Sequence, residues 1–140
     1  MLISQADSQV EQEIIALERA ALARWGRGDP TGYLELCAPD VVYFDPFTAH
    51  RIDGLEALTT YYEGIKGKIS IERDEFLDAR VLLIGSDVAV LTFTYASYGS
   101  EGSMRWYATE VFRRDVSGFR LIHTHWSLPT SPDGTAALKS

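Results

Sequence analysis

Asp45 closes the apolar run Val41-Val42-Tyr43-Phe44 and is followed by Pro46 and Phe47. A carboxylate held against aromatic walls such as Trp25, Tyr43 and Phe47 suits a general base that takes a proton from carbon or from water. A plainer reading exists: Asp-Pro starts a turn, and the carboxylate then serves only local backbone N–H groups. Arg105, Tyr107 and Thr109 alternate along one later segment, so a strand there puts them on one face, where they could fix an anionic or carbonyl group. His123 and His125 also lie two apart, and with Glu110 opposite they would make a three-donor set for a metal. A cross-strand Glu–His pair packed between subunits fits those residues better, so no metal site and no other cofactor is expected. Cys37 has no histidine placed to activate it, and Gly26 and Gly28 lack phosphate-loop spacing.

These side chains need elements to position them. Val10, Ile14, Leu17, Ala21 and Trp25 recur at helical spacing, which predicts a helix over 8–26 that Gly26 and Gly28 end. Asp29-Pro30 reads as an N-cap and first helical residue of a short helix running to about Cys37, with Pro39 as its stop. Val41 to Asp45 should be a strand. Leu55, Leu58, Tyr61, Tyr62 and Ile65 predict a third helix over 54–65. Four strand-like segments follow near 69–84, 88–98, 103–114 and 119–127, parted by turn residues. Residues 128–140 should be a loose tail, leaving a single domain over 1–140 with its core at about 8–127.

Helices first and strands afterwards imply an α+β fold. If one turn closes Arg114 on Phe119 and another closes Tyr98 on Ser103, then Thr92, Thr94, Ala96, Arg105, Tyr107, Thr109, Thr124 and Trp126 share a mixed polar and aromatic face. The opposite face would carry Leu91, Phe93, Tyr95, Trp106, Glu110, Phe112, His123 and His125. A slip of one residue exchanges the faces. The mixed face suits a lined pocket beneath the helices. The aromatic face would then need a cover, and a homodimer through it is the expectation.

Thirteen Lys and Arg against 20 Asp and Glu give a net charge of −7, which disfavours nucleic acid and anionic lipid as partners. No apolar run exceeds four residues, so no membrane span is expected. The single cysteine and the absence of a signal-like N-terminus suggest a cytoplasmic protein.

The runs Gly28-Asp29-Pro30 to Ala38-Pro39-Asp40, Val42 to Phe47, and Gly54 followed by Tyr61-Tyr62 resemble the ketosteroid isomerases and the wider SnoaL-like, nuclear-transport-factor-like superfamily. Thr109 to Arg114, a turn, and Phe119 to Ser127 are similar to a hairpin of the calcium/calmodulin-dependent kinase association domain. The resemblance implies a cystatin-like α+β fold, in which a cone-shaped, curved antiparallel sheet and N-terminal helices enclose a pocket. It places Asp45 at the isomerases' catalytic aspartate and Trp126 at a pocket tryptophan, where the association domain has arginine. The oxyanion tyrosine falls on Ala21 and the protonated aspartic acid on Thr109, so both donors are missing, and Tyr107 and Arg105 are the possible replacements. Arg105 also matches a pocket arginine of the association domain, and Thr94 stands where another would be.

Two functions follow. One is an isomerase or lyase in which Asp45 acts as the base on a carbonyl-containing or anionic substrate held by Trp25, Tyr43, Tyr61, Arg105, Tyr107, Thr109 and Trp126. The alternative is a non-catalytic dimeric ligand-binding or assembly module of the same fold.

Overall fold

A computed structural model describes residues 5–100 and 102–129. The elements run α1 (Gln5–Gly26), α2 (Thr31–Leu36), β1 (Cys37–Phe44), β2 (Ile52–Asp53), α3 (Leu55–Glu63), β3 (Arg73–Ile84), β4 (Val88–Gly99), β5 (Gly102–Asp115) and β6 (Gly118–Ser127). All three helices and the five long strands lie near their predicted places. The two-residue β2 carries too little pattern to be read from sequence. Most of the expected tail falls outside the described residues.

Pro39 does not stop α2; it lies within β1. Pairing of β1 with β6 jumps from Cys37↔Leu121 to Val42↔His123, and Pro39 sits in the interval between those pairs, where its missing N–H interrupts no ladder. The strand can therefore start immediately after the helix. α2 in turn is tied to α1 by Arg24, whose guanidinium donates to Asp29 at 2.9 Å, Thr31 at 2.6 Å and Glu35 at 2.9 Å.

The six strands form one sheet in the order β2-β1-β6-β5-β4-β3. The expected cone-shaped, wholly antiparallel sheet is corrected on both counts. β1 runs parallel to β6, because the chain leaves β1, makes β2, α3 and three further strands, and returns beside β1 in the same direction. The sheet also stays open and is not strongly curled: β2 and β3 end the order as separate edges. The helices cover one face, burying Ile14, Ala21 and Leu22 of α1 and Leu58 and Tyr62 of α3 against Val41, Leu91, Phe93, Phe112 and Leu121.

Both hairpin turns close as the sequence suggests, Arg114 on Phe119 and Tyr98 on Ser103. Pairing of β5 with β6 then steps from Phe112↔Leu121 to Val111↔His123, which leaves Ile122 as one extra residue in β6. Beyond that bulge every β6 side chain faces opposite to an unbroken ladder. Thr124 and Trp126 join Glu110 and Trp106 on the helix-covered face, while His123 and His125 join Thr109 and Tyr107 on the other.

The segment after α3 returns beneath the end of α1. Ile71 N–H donates to Gly26 O and Gly67 N–H to Gly28 O, both at 2.9 Å. Gly28 has φ of 84°, and a Cβ there would lie 3.1 Å from Ile69 O and 3.2 Å from Gly67 Cα, so only glycine lets the two backbones meet.

The face assignment predicts unequal costs for neighbouring substitutions in β4. Leu91 is fully buried, and Leu91→Ala should cost about 2–5 kcal/mol. Thr92 is exposed, and Thr92→Ala should stay within about 0.5 kcal/mol. Urea unfolding that ranks the pair the other way would contradict the faces described.

Candidate functional site

A cavity of about 730 Å³ lies between the helices and the covered face of the sheet. That is ample for a small organic ligand. Leu22 and Trp25 of α1, Tyr33 of α2, Tyr43 of β1 and Tyr61 and Tyr62 of α3 form one side; Tyr95, Trp106 and Trp126 form the sheet side. The returning segment contributes Lys68 to Ile71, and the β4–β5 turn contributes small and hydroxyl residues near the rim. The rings brace one another: Trp25 meets Tyr62 edge-on at 5.2 Å, Tyr43 meets Tyr62 at 5.6 Å and Trp106 meets Trp126 at 6.2 Å between centroids.

Asp45 is placed in this lining by the end of β1. Its Oδ1 accepts the backbone N–H groups of Phe47 at 2.7 Å and Thr48 at 3.0 Å, which is the turn role the Asp-Pro sequence suggests. Its Oδ2 accepts the hydroxyls of Tyr43 at 2.7 Å and Tyr61 at 2.6 Å. Both readings of Asp45 thus hold in part, one on each oxygen. Four donors occupy roughly the four lone-pair sites a carboxylate offers. Burial, followed by the neighbouring Tyr62 and Asp45, holds the Tyr43 hydroxyl far above the ordinary tyrosine range; burial and the bond to Asp45 do the same for Tyr61. Both phenols therefore stay protonated and remain donors.

Of the residues singled out in the sequence, Trp25, Tyr43, Asp45, Tyr61 and Trp126 line the cavity. Arg105, Tyr107 and Thr109 do not. They lie on the uncovered sheet face, all three exposed, with Tyr107 at 53%. Conversely Phe93, Tyr95 and Trp106, expected at a subunit contact, point under the helices, and Glu110 is far from any pairing role with His123 because it lies across the sheet from it. Two causes separate here: the helices cover the apolar face of β4 and β5, with Leu91, Phe93, Tyr95 and Phe112, and leave the mixed face open, while the Ile122 bulge turns Thr124 and Trp126 inward and the two histidines outward. His123 is in fact held below the usual histidine range, by burial and then by His125. Among the described residues no three His, Cys, Asp or Glu side chains are grouped to hold a metal. Cys37 is buried, and that burial pushes its thiol up to about 12, which leaves it unreactive.

A model of the calcium/calmodulin dependent protein kinase II association domain family matches residues 10–130. The chain belongs to that family. The type II alpha chain of calcium/calmodulin-dependent protein kinase from Drosophila melanogaster is 23% identical over 138 residues, covering 94% of this chain but only 26% of the fly protein. Among solved structures, a Parabacteroides distasonis protein provisionally named a ketosteroid isomerase shares 36% identity, with 91% of this chain and 93% of that one covered and a TM-score of 0.77. A nuclear transport factor 2-like protein of Pseudomonas putida, 24% identical, gives 0.80 over 94% and 95% of the two chains. The association domain of the Caenorhabditis elegans kinase, 18% identical, gives 0.74 over 89% and 99%. The fold is thus that of the nuclear-transport-factor-2-like superfamily, which includes both lineages named.

Behind Tyr33 this association-domain chain buries two acids, Glu18, which sequence reading missed, and Glu110, which it paired with His123. Glu18 of α1 and Glu110 of β5 are both fully inaccessible. The available signal was Glu18 itself, a charge on an apolar helix stripe four residues from both Ile14 and Leu22. Tyr33 donates to Glu18 Oε2. The two carboxyls meet each other, and among the described residues Thr124 is the one further side chain bonded to Glu110, so a proton shared between the acids is what fills the remaining sites. Burial supplies that proton: it raises both acids above the ordinary carboxylate range, and for Glu110 the neighbouring Glu18 charge adds to it. Folding therefore favours the protonated pair, a contribution present below the ordinary value of 4.5 and lost as pH rises through the raised folded-state values. Glu110→Gln should gain stability relative to the parent chain as pH goes from 5 to 8 in urea titrations; parallel pH profiles would show that the pair is not protonated.

Proposed function

We propose that this chain is a non-catalytic ligand-binding association module, which holds a small organic molecule in the aromatic cavity and self-associates through the uncovered sheet face. The observation that carries the first half is the mutual satisfaction of Asp45, Tyr43 and Tyr61. A proton-abstracting base needs a free lone pair, and an enolate needs free donors. Here the acceptor and the two donors are spent on each other. The positions that match the isomerases' oxyanion donors offer no replacement. Ala21 is buried against Gly32 of α2, and Thr109 lies outside the cavity.

The catalytic alternative keeps one supporting observation, that Asp45 reaches the cavity at all. As an isomerase or lyase the chain would have to release a tyrosine from Asp45 when substrate entered. Asp45→Asn would then abolish turnover of a substrate whose binding it spared.

Self-association is supported by what the uncovered face carries. Phe44 and His125 are 4.9 Å apart between ring centroids, and exposed Tyr107 lies on the neighbouring strand. Tyrosine and histidine beside apolar rings suit a subunit contact better than open water. Relatives named as association domains and hubs of the kinase share the fold.

Two measurements test the module. Light scattering at micromolar concentration should give at least twice the mass of one chain, and Tyr107→Glu should lower it; a monomer throughout would remove the association half. The neutral dye Nile red should bind and accept energy from Trp25, Trp106 and Trp126, and a dye that leaves their emission unchanged would remove the ligand-binding half.

A further inference from the structure

The hydrogen bonds at Asp45 have a direction, and it reaches the cavity. Backbone N–H groups can only donate, so Asp45 Oδ1 is an acceptor toward Phe47 and Thr48. An ionised carboxylate has no proton to give, so the Tyr43 and Tyr61 hydroxyls must point their protons at Oδ2. Tyr43 is buried and its hydroxyl also meets that of Tyr62, so the lone pairs kept for a ligand are above all those of the more open Tyr61. That end of the cavity offers acceptors, next to a carboxylate charge and several aromatic faces. Its lining holds Lys68 at an exposed position as the counter-charge, while Arg105 lies across the sheet.

We propose that the cavity selects a molecule that donates at the Asp45 end, an organic ammonium head on an apolar body. This rests on the cavity being a ligand site. An ammonium brings three donors and a charge that both the carboxylate and the rings of Tyr43, Tyr61 and Tyr62 attract. A carboxylate or carbonyl head meets acceptor against acceptor, with no arginine to offset it. The geometry thus reverses the anionic or carbonyl preference that Arg105 and Tyr107 suggested from sequence.

Asp45→Asn is the decisive substitution because it changes the direction while keeping the shape. The asparagine Oδ1 can still accept from Phe47 and Thr48. Its Nδ2 now donates to the tyrosine oxygens and frees their protons to point inward, so the cavity end becomes a donor.

The experiment displaces Nile red from the full chain at neutral pH with 2-phenylethylamine, 2-phenylethanol or 3-phenylpropionate, three heads on similar bodies. The amine should act at a concentration about tenfold below that of the acid, the size a partly desolvated cation–π and charge contact gives. In Asp45→Asn that order should shrink or reverse. Tyr61→Phe, which removes one acceptor oxygen and leaves the Asp45 turn intact, should halve the gap or more if the asparagine variant does not fold. If the dye binds and the acid displaces it as well as the amine does, the donor preference is wrong and the ligand site stands. If the dye does not bind the parent chain at all, the ligand site is wrong and the preference falls with it.

Discussion

One extra residue in one strand decides which side chains of β6 the cavity receives. Ile122 has no partner opposite it in β5, and the bulge it makes turns the last part of β6 over. Because strand side chains alternate, nothing smaller than this would exchange two faces. Before the bulge, Phe119 and Leu121 face the core; after it, Thr124 and Trp126 do, and the two histidines are turned outward. The cavity wall formed by Trp126 with Trp106 and Tyr95 exists only in this register.

The same turn of the strand builds a polar spine behind the cavity. Trp126 donates its indole N–H to Thr124 Oγ1 at 2.9 Å, and Thr124 sits opposite Glu110 in the ladder. Glu110 lies beside Glu18, and Glu18 accepts from Tyr33, which again lines the cavity. Buried acids cost stability, and an apolar pair of the same volume would usually fold at least as well. Their presence means that cavity residues at both ends of the spine are held by hydrogen bonds as well as by packing. At Asp45 the logic is similar, with two tyrosines oriented by one carboxylate. The cavity's aromatic rings are therefore fixed by polar anchors at their tips, a condition for presenting a constant surface to a ligand.

The elements were legible because their signals are periodic and local. The α1 stripe, the Gly-rich turns and the β-branched runs each specify a helix or strand without reference to the rest of the chain. The turns even gave the β4–β5 register in full. The β6 faces were not legible, since a bulge leaves no local mark: Leu121-Ile122-His123-Thr124 reads as unbroken alternation; on β4 and β5 the two faces were legible, and the helices cover the apolar one. Nor was the parallel placement of β1 against β6, a contact between residues about 80 positions apart in sequence. Half of the candidate site followed from β1 and α3, where Tyr43, Asp45 and Tyr61 are set by short-range geometry. The other half depended on β5 and β6 and went to the wrong side, except Trp126, which reached the cavity by a different register from the one that suggested it.

The cavity and the face proposed for self-association lie on opposite sides of the same strands, and that arrangement keeps them separable. Trp106 points into the cavity and Tyr107, the next residue, points out. Trp126 and His125 divide in the same way. A substitution at one position changes one surface and leaves the other's side chains untouched, so sequence drift can reshape the cavity without altering the outer face, or the reverse. The bulge is the one place where this independence fails. Any insertion or deletion there exchanges cavity and contact residues together, and a chain carrying it would have to rebuild both surfaces at once.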